Sequence, residues 1–70
     1  MKLGVDMSSG TERKNIRSGV SVAIVLKEDQ ESGKLTDGIV RDILTNSATH
    51  PHGIKVRLMS REVGRVKKIY

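Results

Sequence analysis

The chain has 70 residues, no cysteine and a formal net charge of +5 at pH 7. That length allows one domain with a small core, and the missing cysteines exclude disulfides, thiolate metal sites and a cysteine nucleophile. Residues 1–52 balance acid against base. Residues 53–70 carry the whole excess, with Lys55, Arg57, Arg61, Arg65, Lys67 and Lys68 against Glu62 alone. Charge gathered at one end is a footprint for polyanions, above all nucleic acid.

Residues 1–14, "MKLGVDMSSGTERK", show neither a helical nor a strand period, so a disordered tail is expected there and the domain proper over 15–70. They hold no apolar run that could form a signal-peptide core. The longest apolar run, Val22–Leu26, is far short of the ~20 residues that span a bilayer. A cytoplasmic protein with no membrane partner is expected.

Asn15–Gly19 reads as a turn. "VSVAIVLK" (20–27) alternates and is rich in β-branched residues, which predicts a strand with Val20, Val22, Ile24 and Leu26 on one face. Val25 falls on the other face, so that face is expected to be partly covered. "EDQESG" (28–33) is a polar loop long enough to be mobile. In "KLTDGIVRDILT" (34–45), Val40 and Ile43 are three apart and cannot share a face of a regular strand. A bulge near Arg41-Asp42 or a bend at Gly38 reconciles them. A helix is the rival reading, and Gly38 with the β-branched run favours the strand.

"NSATHPHG" (46–53) is a loop, "GIKVRLM" (53–59) alternates as a strand, and "SRE" (60–62) is a tight connection. "VGRVKKI" (63–69) is the last strand, with a bulge expected at Gly64 between Val63 and Val66. Four or five short antiparallel strands with bends predict an all-β fold: a small, partly open barrel, SH3-like rather than OB-like.

The histidines raise the question of chemistry. A His-x-His pair on a strand suits zinc or copper. Here Pro51 separates His50 from His52 and Gly53 follows, which reads first as a turn that launches a strand. Third ligands could come only from Asp or Glu, and none has telling spacing, so no metal and no cofactor is expected. "SGKLT" lacks the first glycine and the hydroxyl residue of a phosphate-binding loop. Ser47 and Thr49 near His50 lack an orienting third group. An enzyme is not expected.

The last hairpin is the better candidate. Lys55 and Arg57 alternate on one strand, and Arg65, Lys67 and Lys68 follow on the strand expected to pair with it. Like charges across a hairpin cost stability, and a binding role explains tolerating them. The competing explanation is edge charge that blocks aggregation. Tyr70 is the only aromatic residue, so no aromatic stacking platform can form. Nucleic-acid contacts would fall mainly on phosphate and sugar, salt-sensitive and weakly sequence-specific.

The stretches "GKLTDGIV", "ILTNSATHPHGIKVRL" and "VGRV", within Asn15–Ile69, resemble the YwbE family of small uncharacterised proteins. The resemblance implies no reaction, cofactor or partner. Its pattern is similar to SH3-like barrels of RNA- and ribosome-associated modules, a likeness of fold alone. The family's loop-and-histidine stretch maps onto Thr45, Asn46, Ser47, His50, Pro51, His52 and Gly53. This chain departs from the family pattern at Ser18, where proline is usual, and at Arg61, where glycine is common. It also departs at Glu31 and Asp37, where bases are usual, which leaves the first loop outside the expected site.

The leading expectation is an RNA- or ribosome-binding module. Lys55, Arg57, Arg65, Lys67 and Lys68 meet phosphates, and Asn46, His50 and His52 supply polar contacts. A protein-interaction adaptor that takes a partner strand at an exposed edge or at the Val25 face is the alternative. Metal-dependent activity at His50 and His52 comes third.

Overall fold

The alternation at 20–27 becomes strand β1 (Ser21–Leu26). The computed structural model describes residues 10–70. Val22 and Ile24 point into the core, and Ala23 and Val25 point outward yet are also buried, as the expected covering of that face requires. A short 3-10 turn at Lys27–Asp29 leads into the 28–35 connection. That loop is braced rather than loose: Gly33 N–H donates to the Asp29 carbonyl at 2.8 Å, and Ser32 Oγ donates to the same oxygen at 3.2 Å.

Strand β2 (Thr36–Ile43) settles the ambiguity at 34–45 in favour of a strand. Its register against β3 shifts between Val40 and Asp42. Arg41 is therefore the extra residue, and Val40 and Ile43 can both serve the core. Gly38 is needed for a second reason: a Cβ there would run into the Leu58 side chain.

Strands β3 (Lys55–Leu58) and β4 (Val63–Ile69) form the last hairpin. Leu58 N–H donates to Glu62 O and Arg61 N–H donates to Leu58 O, both at 2.8 Å. Arg61 takes the left-handed position of this three-residue loop, with φ 81°.

The four strands pair antiparallel in the order β1-β2-β3-β4 and close into a barrel. The sequence suggested a partly open one. Closure follows from the length of β4, whose Val63–Arg65 pair with β3 while Gly64–Ile69 pair with β1. The bulge expected at Gly64 lies instead at Lys67: Ala23 faces Lys68 and Ile24 faces Val66, so Lys67 is the unpaired extra residue. Gly64 answers a different need, since a Cβ there would strike the Val25 carbonyl.

The core is Ile16, Val22, Ile24, Val40, Ile54, Val56, Leu58 and Val66, with Val20, Leu26, Ile43 and Ile69 packed against it. Fully burying each such side chain contributes about 1.5–3 kcal/mol, which offsets the entropy of ordering so short a chain.

The structured part begins before the expected boundary at Asn15. Residues 1–9, the rest of the expected tail, lie outside the described residues. Gly10–Arg13 run along the 48–54 segment. Arg13 N–H donates to Ala48 O at 2.8 Å, His50 N–H to Thr11 O at 3.0 Å and Ile54 N–H to Gly10 O at 2.8 Å. Glu12 and Thr49 form an isolated antiparallel bridge. These are backbone contacts, which leave no side-chain periodicity to read.

Candidate functional site

Because Val56, Leu58 and Val66 turn into the core, Lys55 and Arg65 turn outward, and they are direct partners across β3 and β4. Two cations in that relation repel. Arg65 is half-buried, and its Nη1 donates to the Gly53 carbonyl at 3.1 Å, which draws its charge toward the preceding loop. The bulge at Lys67 lets two successive lysines, Lys67 and Lys68, stand exposed on the outer surface. Lys67 Nζ donates to the His52 carbonyl at 2.7 Å.

The histidine stretch is a turn. Gly53 N–H donates to His50 O at 3.0 Å, with Pro51 in the second position that suits its fixed φ. Gly53 has φ 107°, and a Cβ there would strike the Val66 carbonyl, so no other residue fits. His50 Nδ1 accepts from His52 N–H at 3.1 Å, and the two rings lie 5.9 Å apart, tilted by 51°. Partial burial, and then the charges of Arg65, His52 and Lys67, hold the His50 imidazole below its ordinary range. Protonation of Nδ1 would also break the bond to His52 N–H. Among the described residues, no three His, Asp or Glu side chains converge as a metal site would need.

Beside this turn lies a groove of about 560 Å³ lined by Val25, Gln30, Gly33, Leu35, His52, Arg65 and Lys67. Its lining carries two permanent cations and no carboxylate. Gln30, Gly33 and Leu35 were not among the candidates from sequence, and Val25 was one only for a partner strand. They arrive because β1 pairs with β4, Val25 against Arg65, and because the 27–35 loop folds back beside them. Glu31 and Asp37, whose acidity set that loop aside, do not line the groove.

Two expected contributors lie elsewhere. Arg57 projects toward β2, where its Nη1 is 3.5 Å from Asp42 Oδ2, and the same carboxylate is 3.8 Å from Arg41 Nε. Asn46 lines a second groove of about 570 Å³, with Glu12, Arg13, Lys14, Ala48 and Thr49. Arg13 Nε donates to Thr45 O at 3.1 Å, and Lys14 is paired with Glu12 at 3.4 Å. The structure thus gathers Lys55, Arg65, Lys67, Lys68, His50 and His52 around the last hairpin, while Arg57 of that hairpin turns its side chain to Asp42 and Asn46 lines a separate groove.

Residues 9–69 match a protein family described as an uncharacterized conserved protein, DUF2196. The chain belongs to this family. It is also 57% identical over 61 residues to the "Uncharacterized protein YwbE" of Bacillus subtilis (strain 168), an alignment covering 87% of this chain and 94% of that protein. The resemblance read from the sequence therefore holds. No solved structure matches the chain. Among the described residues, no helix is long and apolar enough to cross a membrane.

Proposed function

We propose that the protein is an RNA-binding module, free-standing or ribosome-associated, that holds phosphates on the face around β4. The observation that carries this reading is the groove whose lining includes Arg65, Lys67 and His52 and no carboxylate, with Lys55 and Lys68 exposed on the strands beside it. Cations concentrated in a lining without carboxylates attract a polyanion and set its position, while they carry little base information. The role is binding rather than catalysis. The proposed location is the cytoplasm, where a chain without cysteine meets RNA.

The alternative, an adaptor that takes a partner strand, has less support. The barrel is closed, and Val25 is only 6% exposed.

The test is an amide NMR titration with a short structured RNA at about 50 and 200 mM salt. Four phosphate contacts predict an affinity loss on the order of a hundredfold across that range. Shifts should fall on 50–55 and 63–68. Absence of shifts at the lower salt would overturn the reading.

A further inference from the structure

We infer that the groove between the 27–35 loop and β4 receives one unpaired nucleotide, base inward and phosphate at the rim. This rests on the RNA-binding reading and names which RNA that site prefers. The groove's lining mixes two chemistries. Leu35, 41% exposed at the end of the loop, presents aliphatic surface, with only the edge of the 6%-exposed Val25 beside it. Arg65, Lys67 and His52 stand on the side of the β4 hairpin and the histidine turn.

A purely phosphate-binding surface has no use for an apolar recess beside its cations. A duplex presents its backbone outward and keeps its bases stacked, so it would touch the rim and leave the recess empty. A splayed base has a flat apolar face and a polar edge. An exposed aliphatic side chain such as Leu35 can pack on such a face where aromatic ones are absent. The Gln30 amide, also in the lining, offers both a donor and an acceptor to a base edge. The volume of about 560 Å³ falls within the usual range for small-ligand sites. Arg65 and Lys67 each give one N–H to a loop carbonyl, which fixes their heads at the rim, and their remaining donors can meet one phosphate.

The experiment compares three RNA probes at about 50 mM salt, where phosphate contacts are strongest: a short single strand, the same strand with its central bases removed, and a blunt duplex of equal length. Each is titrated into the full chain, Leu35→Ser and Lys68→Ala. Leu35 is exposed, so the serine variant keeps the fold, and the amide spectrum verifies this. The intact strand should bind the full chain about fivefold or more tighter than the abasic strand and the duplex, the scale of one base contact. Leu35→Ser should erase that preference and leave duplex binding unchanged. Lys68→Ala should weaken all three probes alike. Equal binding of the intact and abasic strands, with Leu35→Ser silent, overturns the nucleotide pocket and leaves RNA binding standing. Failure of all three probes to bind overturns both.

Discussion

Lys67 reaches from the bulge of β4 to the carbonyl of His52, 2.7 Å away, and ties the strand that carries the charge to the turn that carries the imidazoles. Lys67 therefore has two roles, and they separate by experiment. Lys67→Ala should reduce the dependence of log affinity on log salt by about one unit, the share of one phosphate contact. It should cost about 1 kcal/mol or less in stability, since one exposed hydrogen bond is lost. Hydrogen exchange at Gly53 N–H, which closes the turn, should quicken. An unchanged salt slope with faster exchange would leave Lys67 a purely structural residue.

Arg57 is the contrasting cation. Its guanidinium sits 3.5 Å from Asp42 on the β2 side. Arg57→Ala should change RNA affinity much less than Lys68→Ala does, and an exposed pair of this kind contributes roughly 0–1 kcal/mol to stability. Parallel titrations of the two variants decide this. Equal losses would extend the binding face around to β2.

Two positive-φ positions predict opposite signs. Gly53→Ala forces a Cβ against the Val66 carbonyl and strains φ 107°, and should destabilise the fold by about 2 kcal/mol or more. Arg61 already carries a side chain at φ 81°, so Arg61→Gly should stabilise it by about 1 kcal/mol. Urea unfolding of both variants measures the pair.

His50 makes the protein sensitive to pH. Its imidazole is held below the ordinary value of 6.5 by partial burial and by Arg65, His52 and Lys67. The unfolded chain then binds more protons than the folded one in that window. Stability from this group is present above 6.5 and is lost as pH falls through the lowered folded value. Phosphates brought beside His50 favour the imidazolium, so RNA should raise its pKa and bind more tightly as pH falls. Imidazole NMR titrations with and without RNA measure this, and coincident curves would place His50 away from the phosphates.

Tyr70 reports on β2, two strands from Lys68 across Ala23. Its hydroxyl donates to Asp37 Oδ1 at 2.8 Å, and that hydrogen bond, partial burial and the carboxylate charge raise its pKa above 10.0. Asp37→Ala should return it toward the ordinary phenol value. Ultraviolet absorbance reads this cleanly, since Tyr70 is the chain's single aromatic.

The strands were legible because one face of each must be apolar, and the bulge at Arg41 could be read from the three-residue step between Val40 and Ile43. The same step separates Val66 from Ile69, and it marks the true bulge at Lys67. Gly64 reads as a bulge residue because glycine commonly fills that role, whereas here it serves the close approach of Val25. The pairing of Gly10–Arg13 with the 48–54 segment runs through backbone atoms and leaves no pattern in side chains. The groove was illegible for another reason. Val25, Gln30 and Leu35 become neighbours of Arg65 only through the pairing of the first strand with the last. Arg57 looked equivalent to Lys55 by alternation, and only the turn of β2 behind the Arg41 bulge brings Asp42 to it.

Closing the ring has a kinetic consequence. Val22 must find Ile69, 47 residues further along the chain, and contacts so distant in sequence form late and slowly. Until they form, Val25 and Arg65 are strangers and the recess between them does not exist. A partly folded chain would carry every cation of the final hairpin and still present no shaped surface. Newly made molecules should thus pass through a stage that attracts polyanions without discriminating among them, and discrimination should appear in one step, when the last strand docks.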